Sequence, residues 1–528
     1  MTPPRLASHE TAHDRRQHPL RRHSLALCLG LLGMALPACG ARPTGDAVSP
    51  DATLDRTVAP PPGRPRPWQL PDTRTVVLEN GLEVVLVPRG TFPTLSMRLS
   101  IRAGYDAAPT PAIAELTSRT VREGTASMGS AEIARFAAGR GITWSASTTD
   151  TATLLSVDGL STNADDLLHL LAELAVRPTF PADRVEARRD EAIEGLQQQR
   201  SRSAFHAQRL TRRVVFGMDG YGRSLERDDL AAVDRDAVVA HHAARWRPNR
   251  AQLVVTGAIP DGIEDQIRAH LGGWESGEAW TPPTVPTRQN LCNDAYVVPR
   301  ANSAQTSVTW IGLGHSRHDP GYFDALVTHQ ILGGGAPSRL FQHLREEKSY
   351  TYGAYSRMSE IAGAAWWTAS ADVRSEVTEE ALDAFRSEFD RLRAEPAEGE
   401  ELQGAQDYLA GVLPIRVERN AQLAGQIVST LEIGLSVEWL STWRERVREV
   451  TAEATHAHGA ALLDPSGITL VLVGEESVVR AAARAHAGRV HVIDLDGQWV
   501  ETFDGALAST CAGAAGAFVA ASAVPAED

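Results

Sequence analysis

The sequence predicts an α+β protein of two homologous domains, each a mixed or antiparallel sheet with helices packed on one face. Three observations carry this. The 528-residue chain is 43% hydrophobic and 22% charged, a globular composition with enough chain for more than one core. Short apolar strands alternate with amphipathic helical segments such as residues 164–175 and 378–393. The pattern then repeats. One apolar run ends at Gly104 with Gly124 twenty residues on, and a second ends at Gly314 with Gly334 at the same interval. Pro248 and Gly257, nine residues apart around a β-rich stretch, are matched by Pro465 and Gly474. The offsets are 210 and 217 residues, so one unit occurs twice with a small gap between the copies.

The first residues read as an address. Arg21, Arg22 and His23 precede an apolar run, residues 25–36, which is too short to span a bilayer. The run ends Leu36-Pro37-Ala38-Cys39-Gly40, which resembles the lipobox of bacterial lipoproteins. That resemblance implies a signal peptide over residues 1–38, lipidation of Cys39 and anchoring without a spanning helix. Glycine in place of aspartate after the cysteine resembles an outer-membrane sorting signal. The expected location is the cell envelope, on the periplasmic face of the outer membrane. His9-Glu-Thr-Ala-His13 matches a zinc motif, but it lies upstream of the signal and leaves with it. The cut removes five arginines against Glu10 and Asp14, so the formal charge of −14 becomes −17. So acidic a body argues against nucleic acid as a partner.

Residues 39–72 are proline-rich and read as a tether. Residues 75–87 then form two short strands around Asn80-Gly81, a strong hairpin signal. An N-terminal domain is expected over residues 73–275, and a linker over 276–292 carries Pro282, Pro283 and Pro286. A C-terminal domain is expected over 293–500, and residues 501–528 form a tail of no legible role. Four cysteines exclude a disulfide scaffold, and with Cys28 in the leader they exclude a four-cysteine zinc cage in the mature chain. Cys292 and Cys511 are available for a disulfide in an oxidising compartment, and no spacing rule decides whether they pair. His241-His242 and His456-x-His458 lack a carboxylate at a ligand spacing and read as solvated helix faces.

Several landmarks, taken in order, resemble the insulinase/pitrilysin superfamily of zinc metallopeptidases, the inverted-motif zincins. They are Leu78-Glu-Asn-Gly-Leu82, Gly124-Thr125, Asp150-Thr151, Arg247-Pro-Asn249, Leu332-Gly-Gly-Gly335 and Ser338-Arg-Leu-Phe341. The resemblance implies that the chain forms half of a clamshell that closes around a peptide. It also implies a catalytic His-x-x-Glu-His on the first domain's helix, where two imidazoles one turn apart hold zinc and a glutamate activates water. Those positions here are Glu115-Leu-Thr-Ser118-Arg119. Both histidines are missing, Ser118 stands at the base position, and a guanidinium cannot ligate. The distal glutamate ligand would fall near Glu194, whose plainer reading is a helix-surface charge. No metal site is expected in this chain.

In Arg345-Glu-Glu-Lys-Ser-Tyr-Thr-Tyr352 an arginine is followed seven residues later by a tyrosine. The resemblance implies that such a pair reaches substrate at the zinc site of the other half. A guanidinium can clamp a peptide carbonyl and a phenol can donate to a developing oxyanion. The competing reading is an arginine paired with Glu346 or Glu379 and a packed core tyrosine. The expected function is therefore the non-zinc subunit of a heterodimeric peptidase, with Arg345 and Tyr352 binding substrate and zinc held by a homologous partner subunit. The alternative is a non-catalytic peptide-binding or scaffold protein on the same fold. For an enzyme with a different site there is no nucleophile–base constellation.

Overall fold

The computed structural model describes residues 68–511 apart from 91, 279–280 and 282–290. The expected signal peptide, Cys39, and most of the tether and linker lie outside the described residues. β1 (Arg74–Val77) and β2 (Glu83–Pro88) form the hairpin expected at Asn80-Gly81, with Gly81 at φ +84°. A Cβ on Gly81 would sit 2.9 Å from Cβ of Asn249, so the two landmark turns Leu78–Leu82 and Arg247–Asn249 pack on each other. Glycine is what permits both the positive φ and so close an approach there.

β3 (Thr94–Ile101), β4 (Thr143–Thr148), β5 (Thr153–Leu160) and β6 (Ala251–Gly257) complete the first sheet, in the order β1-β2-β6-β3-β5-β4. The second sheet contains β7 (Ala295–Pro299), β8 (Gln305–Leu313), β9 (Thr351–Ile361) and β10 (Ala364–Arg374). It also contains β11 (Thr469–Gly474), β12 (Arg489–Ile493) and β13 (Trp499–Asp504), in the order β13-β12-β7-β11-β8-β10-β9. Without β1, β12 and β13 the orders β2-β6-β3-β5-β4 and β7-β11-β8-β10-β9 superpose element on element. In each, the first pair is parallel and the rest antiparallel. The repeat seen in the sequence is thus a repeat of strand order and direction. β13 carries the second sheet past residue 500, the expected start of the tail.

Alternation along β3 shows how the halves join. Leu95, Met97, Leu99 and Ile101 enter the first core, while Ser96, Arg98 and Ser100 are buried on the opposite face. That face is covered by helix Asn420–Glu432 of the second half: Ser100 Oγ donates to Glu432 Oε1 at 2.5 Å and Thr256 Oγ1 to Asn420 O at 2.8 Å. Reciprocally, helix Ser203–Phe216 of the first half lays Leu210 and Val214 against Ile311, Val471 and Val473. Among the described residues, each sheet has its own helices on one face and a helix of the other half packed on the second face.

The β12–β13 turn is gripped from the first half. Arg209 Nη2 donates to Asp496 O at 2.5 Å and Arg213 Nη1 to Gly497 O at 2.7 Å. Both guanidiniums are buried and share Glu226, and burial pushes Arg213 down to about 10. Cys292 and Cys511 form a disulfide with Cα atoms 5.5 Å apart, fastening the chain beyond β13 to the strand that opens the second half. None of the described helices is long and apolar enough to cross a membrane.

Candidate functional site

Helix Pro111–Thr120 carries Glu115, Ser118 and Arg119, where the sequence resemblance puts the zinc motif. Proline at its first residue suits an N-terminus whose N–H has no partner, and Ala112 and Leu116 turn into the core. Glu115 and Arg119, one turn apart, share the outward face and pair with each other, Arg119 Nε lying 2.6 Å from Glu115 Oε1. Tyr105, from the short helical turn Tyr105–Ala107, donates its hydroxyl to Glu115 Oε2 at 2.7 Å. Burial, reinforced by the Glu115 carboxylate, pushes the Tyr105 phenol well above its ordinary range. Ser118 is buried and donates to Glu115 O at 3.0 Å, so the base position is spent within the helix. Glu194 is exposed on helix Ala182–Arg200, which packs against the motif helix. Glu115, Ser118, Arg119 and Glu194 contribute to no metal-ligating group among the described residues. A zinc ion does not fit here: one carboxylate is already bonded on both oxygens, and the histidine position holds a fixed positive charge.

Next to this helix Asp150, in the β4–β5 turn, takes a two-pronged ion pair from Arg212, with one arm at 3.1 Å. Asp106 lies beneath it. Its carboxyl accepts from Tyr221 Oη at 3.2 Å, and burial pushes it up to about 6. Arg212 belongs to helix Ser203–Phe216, so the ion pair also stands at the junction with the second half. A cleft of about 440 Å³ opens there, lined by Thr211, Arg212, Thr309, Tyr355, Trp366 and Thr368 among others. The second sheet supplies mostly small and hydroxylated side chains to this wall.

Arg345 and Tyr352 stand at the entry to β9. Helix Tyr322–Gly333 ends where a Cβ on Gly333 would sit 2.1 Å from Ser356 N, and one on Gly334 would meet the Gln330 carboxamide at 2.3 Å. Gly333 therefore lets the helix end touch β9, and Gly334 makes room for the Gln330 side chain. The chain turns through Arg339–Phe341 into the wider turn Gln342–Glu347. Ser349, at φ +54°, closes it, with Tyr350 N donating to Leu344 O at 2.9 Å. Arg345 lies over the Phe341 ring at 4.7 Å and only 3.7 Å from Glu346, with its side chain half exposed. Tyr352 is 88% exposed. It is not a packed core tyrosine. Gly353 and Tyr355, the next residues of β9 on the same edge, line the cleft.

The paired histidines differ from expectation: they are packed, not solvated. His241 and His242, on helix Arg235–Arg245, are both held down at about 4 by burial, and His242 Nε2 lies 2.9 Å from Ala175 O. His456 Nε2 lies 2.9 Å from Arg393 O, and the His458 ring packs 4.8 Å from that of His315. The helices press these faces onto neighbouring backbone, which periodicity alone does not reveal. Sequence reasoning also missed the Tyr105–Glu115–Arg119 network. The opposite charges at i and i+4 were its one visible signal.

Two adjoining stretches match family descriptions: residues 84–229 match insulinase (peptidase family M16), and residues 232–409 match the peptidase M16 inactive domain. The chain is 20% identical to the uncharacterised zinc protease YmxG of Bacillus subtilis, over 74% of this chain and 97% of that protein. It is 25% identical to the uncharacterised zinc protease Rv2782c of Mycobacterium tuberculosis, over 56% and 71%. The peptidase M16 inactive domain structure from Pseudomonas fluorescens superposes with TM-score 0.69 at 23% identity, covering 76% of this chain and 98% of that one. A protease from Helicobacter pylori gives TM-score 0.69 at 16% identity, covering 76% and 100%. The periplasmic protease PqqL of Escherichia coli gives 0.67 at 18%, with 82% of this chain covering 49% of that one. With both halves matched and the strand order repeated, the chain belongs to the insulinase family, peptidase family M16, with residues 232–409 matching that family's inactive domain.

Proposed function

We propose that this protein is the non-zinc subunit of a two-chain M16 peptidase, anchored by lipid at Cys39 in the bacterial cell envelope. A zinc-bearing homologous subunit would be its partner and a peptide its substrate. The observation that carries the reading is an asymmetry. The motif helix offers one carboxylate, already paired, and no base, whereas Tyr352 is exposed and Arg345, seven residues earlier in the chain, is half exposed. A phenol 88% exposed serves no core. In the assembled complex Arg345 clamps a carbonyl of the bound peptide, and the Tyr352 hydroxyl donates a hydrogen bond to the oxyanion that forms when that peptide is attacked.

The second reading is a non-catalytic peptide-binding protein, favoured by the 440 Å³ cleft on the exposed side of β9 and β10. Reconstitution separates the two. The chain, purified alone and with a co-purifying M16 subunit that has an intact His-x-x-Glu-His, is assayed on a peptide library. Hydrolysis only in the mixture supports the subunit reading. Peptide binding without hydrolysis in either sample supports the binding protein.

A further inference from the structure

We propose that the Cys292–Cys511 disulfide doubles as a reduction-gated metal site, in which the two thiolates and Asp294 hold a divalent thiophilic cation such as Zn²⁺. The site lies on the second half, where the chain enters β7, and owes nothing to the motif helix.

The geometry is a ligand set in waiting. A sulfur from Cys292, a sulfur from Cys511 and a carboxylate oxygen of Asp294 all lie within 4.8 Å of one another. Tetrahedral zinc with Zn–S of about 2.3 Å needs its sulfurs only about 3.8 Å apart, so small side-chain rotations suffice once the bond opens. Asp294 is 6% exposed, and its Oδ1 is buried without a hydrogen-bond partner. An orphaned buried carboxylate oxygen beside two sulfurs asks for a ligand. Its other oxygen is held by His491, whose Nε2 lies 3.2 Å from Oδ2 while Nδ1 lies 2.8 Å from Thr502 Oγ1. Such a histidine–carboxylate contact fixes the orientation of a ligating group. Two thiolates and a carboxylate around a divalent cation leave one negative charge. Arg489, with Nε 3.8 Å from Asp294 Oδ1, offsets it.

The two cysteine segments are also held together without the disulfide. Asn293 N donates to Thr510 Oγ1 at 3.1 Å, and Asn293 Nδ2 to Ala508 O at 2.9 Å. Thr510 N donates to Asn293 Oδ1 at 2.9 Å. Thr469 Oγ1 holds Cys292 O at 2.7 Å and Arg489 Nη2 holds Cys511 O at 3.2 Å. Opening the bond therefore leaves the thiols facing each other. A dithiol reductant supplies two electrons and two protons and becomes a disulfide itself. Binding the cation then releases the two thiol protons. Both cysteines are partly exposed, which gives reductant and metal access.

The test uses the full chain with Cys28→Ser and Cys39→Ser, leaving Cys292 and Cys511 as its only thiols. It is reduced anaerobically with a phosphine and titrated with Co²⁺. The expected result is one Co²⁺ per chain with a sulfur-to-cobalt charge-transfer band, absent from the oxidised protein and abolished by added Zn²⁺. Asp294→Asn, which leaves the disulfide intact, weakens Co²⁺ binding at least tenfold, and His491→Ala weakens it by about 10–100-fold. The proposal is overturned if the reduced, still folded chain shows two titratable thiols but no band, if Asp294→Asn binds as tightly as the parent, or if reduction alone unfolds the second half.

Discussion

Arg119 and Glu115 bond to each other across one helical turn, 2.6 Å apart, at the two positions to which the sequence resemblance assigns paired imidazoles. The pair is unequal. Glu115 is nearly buried and serves both Arg119 and Tyr105, while Arg119 is half exposed.

Glu115→Ala strands the Tyr105 hydroxyl and is expected to cost about 1–3 kcal/mol, whereas Arg119→Ala removes an exposed partner and costs about 0–1 kcal/mol. Urea midpoints measure both. Equal losses would mean that the ion pair, not the tyrosine, holds this corner together.

Oxidised protein purified alone is expected to hold far less than one zinc per chain. Restoring the motif with Glu115→His, Ser118→Glu and Arg119→His is expected to yield little peptidase activity, because Tyr105 then faces an imidazole that no carboxylate orients. Elemental analysis and a chelator-sensitive assay check the two statements.

Gly497 sits at φ +82° under two buried arginines, and a Cβ there would lie 2.4 Å from Arg213 Nη1. Gly497→Ala is expected to destabilise by about 1–2 kcal/mol from the backbone alone, with more from the displaced guanidinium. Thermal melting reads the loss. An unchanged melting temperature would show that the β12–β13 turn is not held as described.

Stability is expected to rise with pH between about 4 and 6.5. His241, His242 and His329 are kept neutral by burial, at about 4, 4 and 3, so below 6.5 the unfolded chain takes up more protons than the folded one. Asp106, raised to about 6, works the other way, because its folded carboxyl holds a proton that the unfolded chain releases above its ordinary range. Glu360 and Glu432, also raised by burial, act with Asp106, and His206, His458 and His486, also lowered by burial, act with the other histidines, so six histidines oppose three carboxylates. Asp106→Asn should steepen the rise and stabilise the protein at pH 7 by roughly 1–3 kcal/mol. Denaturant unfolding at pH 5 and pH 7 decides it, and a flat profile would remove the histidines from the account.

Much of the fold was legible because strands announce themselves by composition and the two copies share an interval. β3 and β8 begin 211 residues apart, at Thr94 and Gln305, and β6 and β11 close on Gly257 and Gly474 as the repeat requires. The helix exchange was not legible. Ser96, Arg98 and Ser100 alternate like a solvent face, and only a helix more than 300 residues away buries them. The candidate site divides the same way. Arg345 and Tyr352 were singled out by the family resemblance and their spacing, but that Tyr352 is exposed and not packed in a core is a tertiary fact. Arg212 and Asp150 are 62 residues apart, and no local pattern links them.

The central claim is that Tyr352 acts on substrate in a complex whose metal is held elsewhere. Turnover by the complex reconstituted with its zinc-bearing partner tests it, comparing Tyr352→Phe with Tyr408→Phe, an exposed tyrosine on helix Gly399–Arg416. Loss of one preorganised donor costs about 10²–10³ in rate, so Tyr352→Phe should lower kcat to that extent with assembly and melting temperature unchanged. Arg345→Ala should in addition raise KM, and Arg345→Lys should restore it only in part because an ammonium has no planar fork. Tyr408→Phe should change nothing. Wild-type turnover by the Tyr352→Phe complex would contradict the account and leave the cleft-bearing binding protein as the better description.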